Sequence, residues 1–114
     1  MKSKIYYAIS DRVSGEPMMS MMFGWSSIKD RKPELAKKLS NHDLSSSHKL
    51  LAVVDETDLD KIFQNFQGEN WSPNGEAKEL ILGLGLGHTT ISVGDIVQQD
   101  DNFYFCDGIG WIKI

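Results

Sequence analysis

The chain has 114 residues, enough for one domain with its own core and no need of metal or disulfide supports. Hydrophobic residues make up 40% and charged residues 25%, the balance of a soluble globular domain rather than a disordered or fibrous chain. The formal net charge of −4 argues against a generally basic nucleic-acid surface, and the single cysteine, Cys106, excludes an intrachain disulfide.

No apolar run approaches the roughly 20 residues that span a bilayer. Met1-Lys2-Ser3-Lys4 has the basic start of a signal peptide, but residues 5–9 are too short for its apolar region, and Ser10-Asp11-Arg12 ends it. The expectation is a cytoplasmic protein without membrane contact.

Residues 4–9 read as a first strand, with Ile5, Tyr7 and Ile9 on one face and Tyr6 and Ala8 on the other. Apolar surface on both faces places it inside the sheet. Residues 11–17 carry the Ser, Gly and Pro of a loop. The next stretch, Met18, Met19, Ser20, Met21, Met22, Phe23, Gly24 and Trp25, concentrates four of the five methionines. Methionine adapts to irregular surroundings, so this stretch is either a segment packed over the sheet or an exposed partner surface.

Residues 26–30 are polar. Pro33 suits the first turn of a helix over 33–40, with Leu35, Ala36 and Leu39 inward. Lys29, Arg31, Lys32, Lys37 and Lys38 form the densest basic run. A solvated helix face is the ordinary reading of such a run, and phosphate binding is the alternative. Residues 41–48 form a Ser-rich loop.

Residues 49–54 are apolar without alternation, the pattern of a strand buried on both faces. Thr57 then reads as the N-cap of a helix over 57–67, with Asp58 and Asp60 favoured in its first turn. Leu59, Ile62, Phe63 and Phe66 make a buried stripe at i, i+3, i+4, i+7, and Gly68 is the C-terminal stop. Residues 69–75 form a loop in which Trp71 is either a lid on the core or a recognition residue. Residues 76–82 fit a helix or a strand.

Gly83, Gly85 and Gly87 alternate with leucine. No Gly-Lys-Ser/Thr follows and no helix pattern succeeds them, so neither phosphate-loop nor dinucleotide fingerprint is met. They read as a connector or a close backbone approach. The remainder is β: a strand over 89–93, a bend at Gly94-Asp95, a strand over 96–99, a turn at 100–102, a strand over 103–106, a turn at 107–108 and a last strand over 109–114. The fold expected is one α+β domain over residues 1–114. It has a mostly antiparallel β-sheet, one or two packed helices and a C-terminal β-meander; a small, partly closed β-barrel is the alternative.

Cysteine catalysis would require Cys106, His88 and Asp95 or Asp107 to converge, which no spacing here demands. His42 and His48 lack structural zinc spacing. Asp55, Glu56, Asp58 and Asp60 lack the glycine and ligand pattern of a calcium loop. No metal, cofactor or catalytic residue is therefore assigned. His88-Thr89-Thr90 is a polar trio before an apolar strand. It either satisfies backbone groups locally or forms a ligand- or partner-contacting edge. The candidate binding residues are His88, Thr89, Thr90, Asp95, Trp71 and Trp111. The candidate partner surface is Met18, Met19, Met21, Met22, Phe23 and Trp25.

Residues 88–97, His-Thr-Thr-Ile-Ser-Val-Gly-Asp-Ile-Val, and 103–111, Phe-Tyr-Phe-Cys-Asp-Gly-Ile-Gly-Trp, resemble a pattern in small proteins of phages and plasmids, among which the YodL-like domain is the named family. The strand and helix of 50–66 and the Trp71–Asn74 string are also similar. About half the chain is covered, and residues 1–47 lie outside the resemblance. It implies kinship with mobile-element proteins and transfers no activity. The expectation is a non-enzymatic binding protein that modulates a host protein or defence system by direct contact, in the host cytosol if phage-encoded. A nucleic-acid or nucleotide-binding module using His88, Thr89, Trp71, Trp111 and the basic helix is the second expectation. A small hydrolase using Cys106 and His88 is the third.

Overall fold

The computed structural model describes residues 2–9, 24–86, 88–108 and 110–114. The elements in chain order are β1 (Ser3–Ala8), α1 (Trp25–Arg31), α2 (Pro33–Ser40), β2 (His48–Val54), α3 (Leu59–Asn65), α4 (Gly68–Trp71), α5 (Lys78–Gly83), β3 (Ile96–Gln99), β4 (Asn102–Asp107) and β5 (Gly110–Lys113). The five strands form one sheet in the order β2-β1-β3-β4-β5, with every neighbouring pair antiparallel. The chain is thus α+β with a C-terminal β3-β4-β5 meander. The sheet is open, with β2 and β5 as its edges, so the barrel alternative is wrong. Instead of curling on itself, the sheet is covered on both faces.

Two cores account for that. Ile5, Tyr7, Leu51 and Val97 face one way and pack with Ile62, Phe66, Ala77, Ile81, Leu86 and Ile91. Ala8, Ile96, Phe103 and Phe105 face the other way and pack with Ile28, Ala36, Leu39 and Leu44. The sheet is the middle of three layers, with α3–α5 on one side and α1–α2 on the other. Period-2 alternation in β1 feeds both cores, as its apolar surface on each face requires. No helix among the described residues is long and apolar enough to cross a membrane.

Several elements differ from expectation. The described residues hold five short helices rather than one or two. Residues 26–30 belong to α1, an unforeseen helix in which Ile28 is the buried residue. The strand β2 is not buried on both faces; it is an edge, with Leu50 44% and Val53 47% exposed. A register shift explains its lack of alternation. Tyr6 pairs with Leu50 and Ile5 with Ala52, so Leu51 is the extra residue of a bulge. Leu51 and Ala52 both turn to the first core, while Leu50 and Val53 stand together on the other face.

The helix expected over 57–67 is α3, and its N-cap is Asp58 rather than Thr57. The Asp58 carboxylate accepts the backbone N–H groups of Asp60 and Lys61 at 2.9 and 3.3 Å. Its stripe is narrower than expected: Ile62 and Phe66 are buried but Phe63 is 39% exposed. Gly68 does not terminate the chain's helical course. It opens the short α4, to which Trp71 belongs. Residues 76–82 resolve as helix, in α5. Gly83 and Gly85 make no close backbone approach; a side chain at either would meet nothing within 4 Å, and Gly85 serves its positive φ of 73°.

The strand expected over 89–93 does not form. Its polar groups are drawn into other bonds. Thr90 Oγ1 accepts the Gly68 N–H at 2.7 Å, Ile91 N–H donates to the Phe66 carbonyl at 3.0 Å, and Ser92 Oγ donates to the Thr90 carbonyl at 2.8 Å. Local side-chain bonds of this kind compete directly with a strand ladder.

Candidate functional site

Three of the buried polar residues, Ser47, His48 and Asp95, gather where the end of β1, the 88–95 loop and the start of β3 meet, while Ser3 and Gln99 bond to each other at the opposite end of those strands. Asp95, fully buried, lies at the centre. One carboxylate oxygen accepts the Ala8 N–H at 2.8 Å, the other accepts the Ser92 N–H at 2.7 Å. His88 Nε2 lies 3.0 and 2.9 Å from the same two oxygens. A carboxylate only accepts, so this geometry assigns the Nε2 proton to the donating role. The His88 ring stacks on Tyr7 with centroids 4.5 Å apart and planes 11° from parallel. Its other nitrogen, Nδ1, is buried with no hydrogen-bond partner among the described residues.

The sequence supplies this node through a tight turn. Asp95 N–H donates to the Ser92 carbonyl at 3.0 Å while its side chain reaches back to Ser92 N–H. Gly94, at φ 102°, provides the backbone conformation that closes the turn. Gly94 N–H donates to the Cys106 carbonyl and Cys106 N–H to the Asp95 carbonyl, both at 2.9 Å, so the turn is sewn to β4.

Around the node the other candidates fall into place. The Thr89 carbonyl accepts two bonds, from Tyr7 Oη at 2.7 Å and from Trp71 Nε1 at 3.0 Å. Trp71 also sits 5.1 Å from Phe66, packed as a lid on the first core. Thr90 is the acceptor for Gly68, where an added Cβ would lie 2.9 Å from Thr90 Oγ1. Trp111 pairs with Cys106 across β4 and β5 and packs half-buried against that core. His88, Thr89, Thr90, Asp95 and Trp71 are therefore joined by contacts, with Trp111 on the same face. Trp25 is on the opposite side of the sheet, 5.3 Å from Phe105. Met18, Met19, Met21, Met22 and Phe23 lie outside the described residues.

Sequence reasoning missed Tyr7, His48, Ser47 and Ser92. His48 is buried at the start of β2; its Nε2 donates to the Gly94 carbonyl at 2.7 Å and its Nδ1 accepts from Ser47 Oγ at 2.7 Å. Burial lowers its pKa below the ordinary 6.5, more than the Gly94 bond and the Asp95 charge raise it. Burial, then the charges of Asp95 and Cys106, push the Tyr7 hydroxyl above its usual range. Burial, then Asp95 and Asp107, push the Cys106 thiol up to about 12. The only signal for these residues was a polar group at a strand position, Tyr7 in β1 and His48 opening β2, which gives no hint of a common destination.

Chemically, a histidine held by a carboxylate has the form of an oriented imidazole base. Here the remaining nitrogen has no contact with solvent, and Cys106 is a thiol rather than a thiolate near neutral pH. The node holds three chain segments together. Among the described residues no group of three His, Cys, Asp or Glu side chains could hold a metal ion. Comparison with family models, with curated proteins and with solved structures finds no match to this chain.

Proposed function

We propose that the chain is a small non-enzymatic binding protein of a phage or other mobile element, acting in the host cytosol by direct contact with a host protein. One observation carries this reading: the groups best suited to bond chemistry are committed to the interior. Asp95 spends both oxygens on two backbone N–H groups and His88, and Cys106 is buried with its thiol pushed up to about 12. Recognition by the surface is what such an arrangement leaves available. The resemblance of residues 88–97 and 103–111 to YodL-like proteins supports the mobile-element origin. Affinity capture from bacterial lysates with the tagged chain tests it. A specific, saturable partner across repeated captures is expected, and none from any plausible host would count against the reading.

The nucleic-acid alternative draws on the exposed Lys29, Lys37 and Lys38 of the helical layer formed by α1 and α2. Trp71 weighs against it, since its indole is engaged by Phe66 and the Thr89 carbonyl instead of offering a free stacking face. A gel shift with RNA and single- and double-stranded DNA separates the two readings.

A further inference from the structure

The β2 strand carries the two most exposed large apolar residues of the sheet, Leu50 and Val53. Among the described residues only β1 pairs with it, which leaves its outer row of N–H and C=O groups without a strand partner. A row of this kind is a template for a further strand. We propose that the further strand is β2 of a second copy, paired antiparallel about a two-fold axis so that Leu50 of each chain faces Val53 of the other.

Two features single out that occupant and that register. The bulge at Leu51 puts Leu50 and Val53 on one face and Leu51 and Ala52 on the opposite one. Setting Leu50 against Val53 of the second copy also sets Leu51 against Ala52 and Lys49 against Val54, so each residue from 49 to 54 meets one on its own face and the four central residues each meet an apolar one. A slip by one residue would oppose Leu51 to Val53, which point to different faces. The bulge, which on many edges discourages pairing, here leaves one face-consistent alignment. Charge agrees with it. Lys49 lies near the start of the strand, and Asp55-Glu56 follow its end. Two-fold antiparallel pairing brings the basic end of each copy alongside the acidic end of the other, and the contact is self-complementary, as a two-fold interface must be. The result is a continuous ten-stranded sheet, with the Leu50–Val53 pairs beside a groove of about 280 Å³ that is lined by Lys2, Lys4, Val53, Gln98 and Asp100. This inference stands independently of the partner reading above.

Sedimentation velocity and light scattering from micromolar to millimolar concentration test it. The expected result is a concentration-dependent shift to twice the chain mass. Leu50→Lys and Val53→Lys, both at exposed positions, should each raise the dimer dissociation constant at least about tenfold without changing the circular dichroism of the monomer. Cross-linking reads the register. A mixture of Leu50→Cys chains and Val53→Cys chains, oxidised under mild conditions, should give disulfide-linked dimers far more readily than either variant alone; the buried Cys106 gives little background. A chain that stays monomeric at millimolar concentration overturns the proposal and leaves this edge to a strand of another protein. A dimer that is indifferent to both lysine substitutions, or one without the mixed cross-link, overturns it equally.

Discussion

His88 and Asp95, seven residues apart, meet through one imidazole nitrogen that lies within 3.0 Å of both carboxylate oxygens. Those oxygens also accept the backbone N–H groups of Ala8 and Ser92. The histidine is therefore one of three donors that Asp95 satisfies, and the two backbone donors belong to different segments. Removing Asp95 strands all three in a dry environment. Asp95→Ala should destabilise the fold by about 3–5 kcal/mol. His88→Ala should cost less, because the carboxylate still caps Ala8 and Ser92. Urea unfolding of both variants checks the order; equal costs would mean that the side-chain pair, rather than the backbone capping, carries the node.

His48 gives the fold a pH dependence of definite sign. Burial chiefly holds its folded pKa below the ordinary 6.5. As pH falls through 6.5, the unfolded chain takes up a proton on this residue while the folded chain does not. The unfolded state then binds more protons, so stability is full above about pH 6.5 and declines below it until the folded pKa is reached. Unfolding measured between about pH 7.5 and about pH 5 should show the decline. His48→Gln, which cannot titrate, should flatten it relative to the parent even though it lowers stability at neutral pH. An unchanged slope would assign the acid sensitivity to other groups.

The same side chains show what sequence could and could not reveal. Alternation in Ser3–Ala8 correctly places β1 inside the sheet, because both of its faces carry apolar residues that both cores use. Asn102–Asp107 and its flanking turns likewise declare the meander. By contrast, the apolar run of β2 suggests a central strand, whereas a single bulged residue accounts for the same pattern at an edge. Residues 89–93 have strand composition, but their fate is decided by Gly68, Phe66 and Asp95, which are distant in sequence or belong to a side chain. Local propensity holds no record of such partners. At the node, His88 and Asp95 stand out as polar residues beside apolar ones. Tyr7 and His48 reach the same place from other strands, and only the sheet order brings them there.

Cys106 offers a direct probe of burial. Its thiol is pushed up from an ordinary value near 9 to about 12, with burial the largest cause. The thiolate is the reactive form, so native protein near neutral pH should react with a thiol reagent more than about a hundredfold slower than denatured protein. Labelling in the native state should then report opening of the structure. Asp95→Ala, which loosens the turn sewn to the Cys106 backbone, should accelerate it. Rapid labelling of the folded parent would contradict the buried placement.

Gly24 presents the tightest steric constraint at a helix start. It precedes α1 at φ 92°, a region that side chains strain to adopt. A Cβ there would lie 2.8 Å from Asp107 Oδ1. The carboxylate cannot easily retreat, because its Oδ2 accepts the Trp25 N–H at 3.0 Å and its Oδ1 accepts the Gly108 N–H. Asp107 thus does from β4 what an N-cap side chain does locally, and Gly24 provides the room. Gly75 is the natural control. Its φ is 83°, and an added Cβ would meet nothing within 4 Å. Gly75→Ala should cost only the backbone strain, about 1–2 kcal/mol. Gly24→Ala should cost more, by roughly a further 1 kcal/mol or above, as the clash breaks the cap. Combining Gly24→Ala with Asp107→Ala removes the clashing oxygen along with the cap. The double variant should therefore be more stable than the sum of the single losses implies. Strict additivity in denaturant unfolding would show that the cost at Gly24 comes from φ alone and that Asp107 plays no part in it.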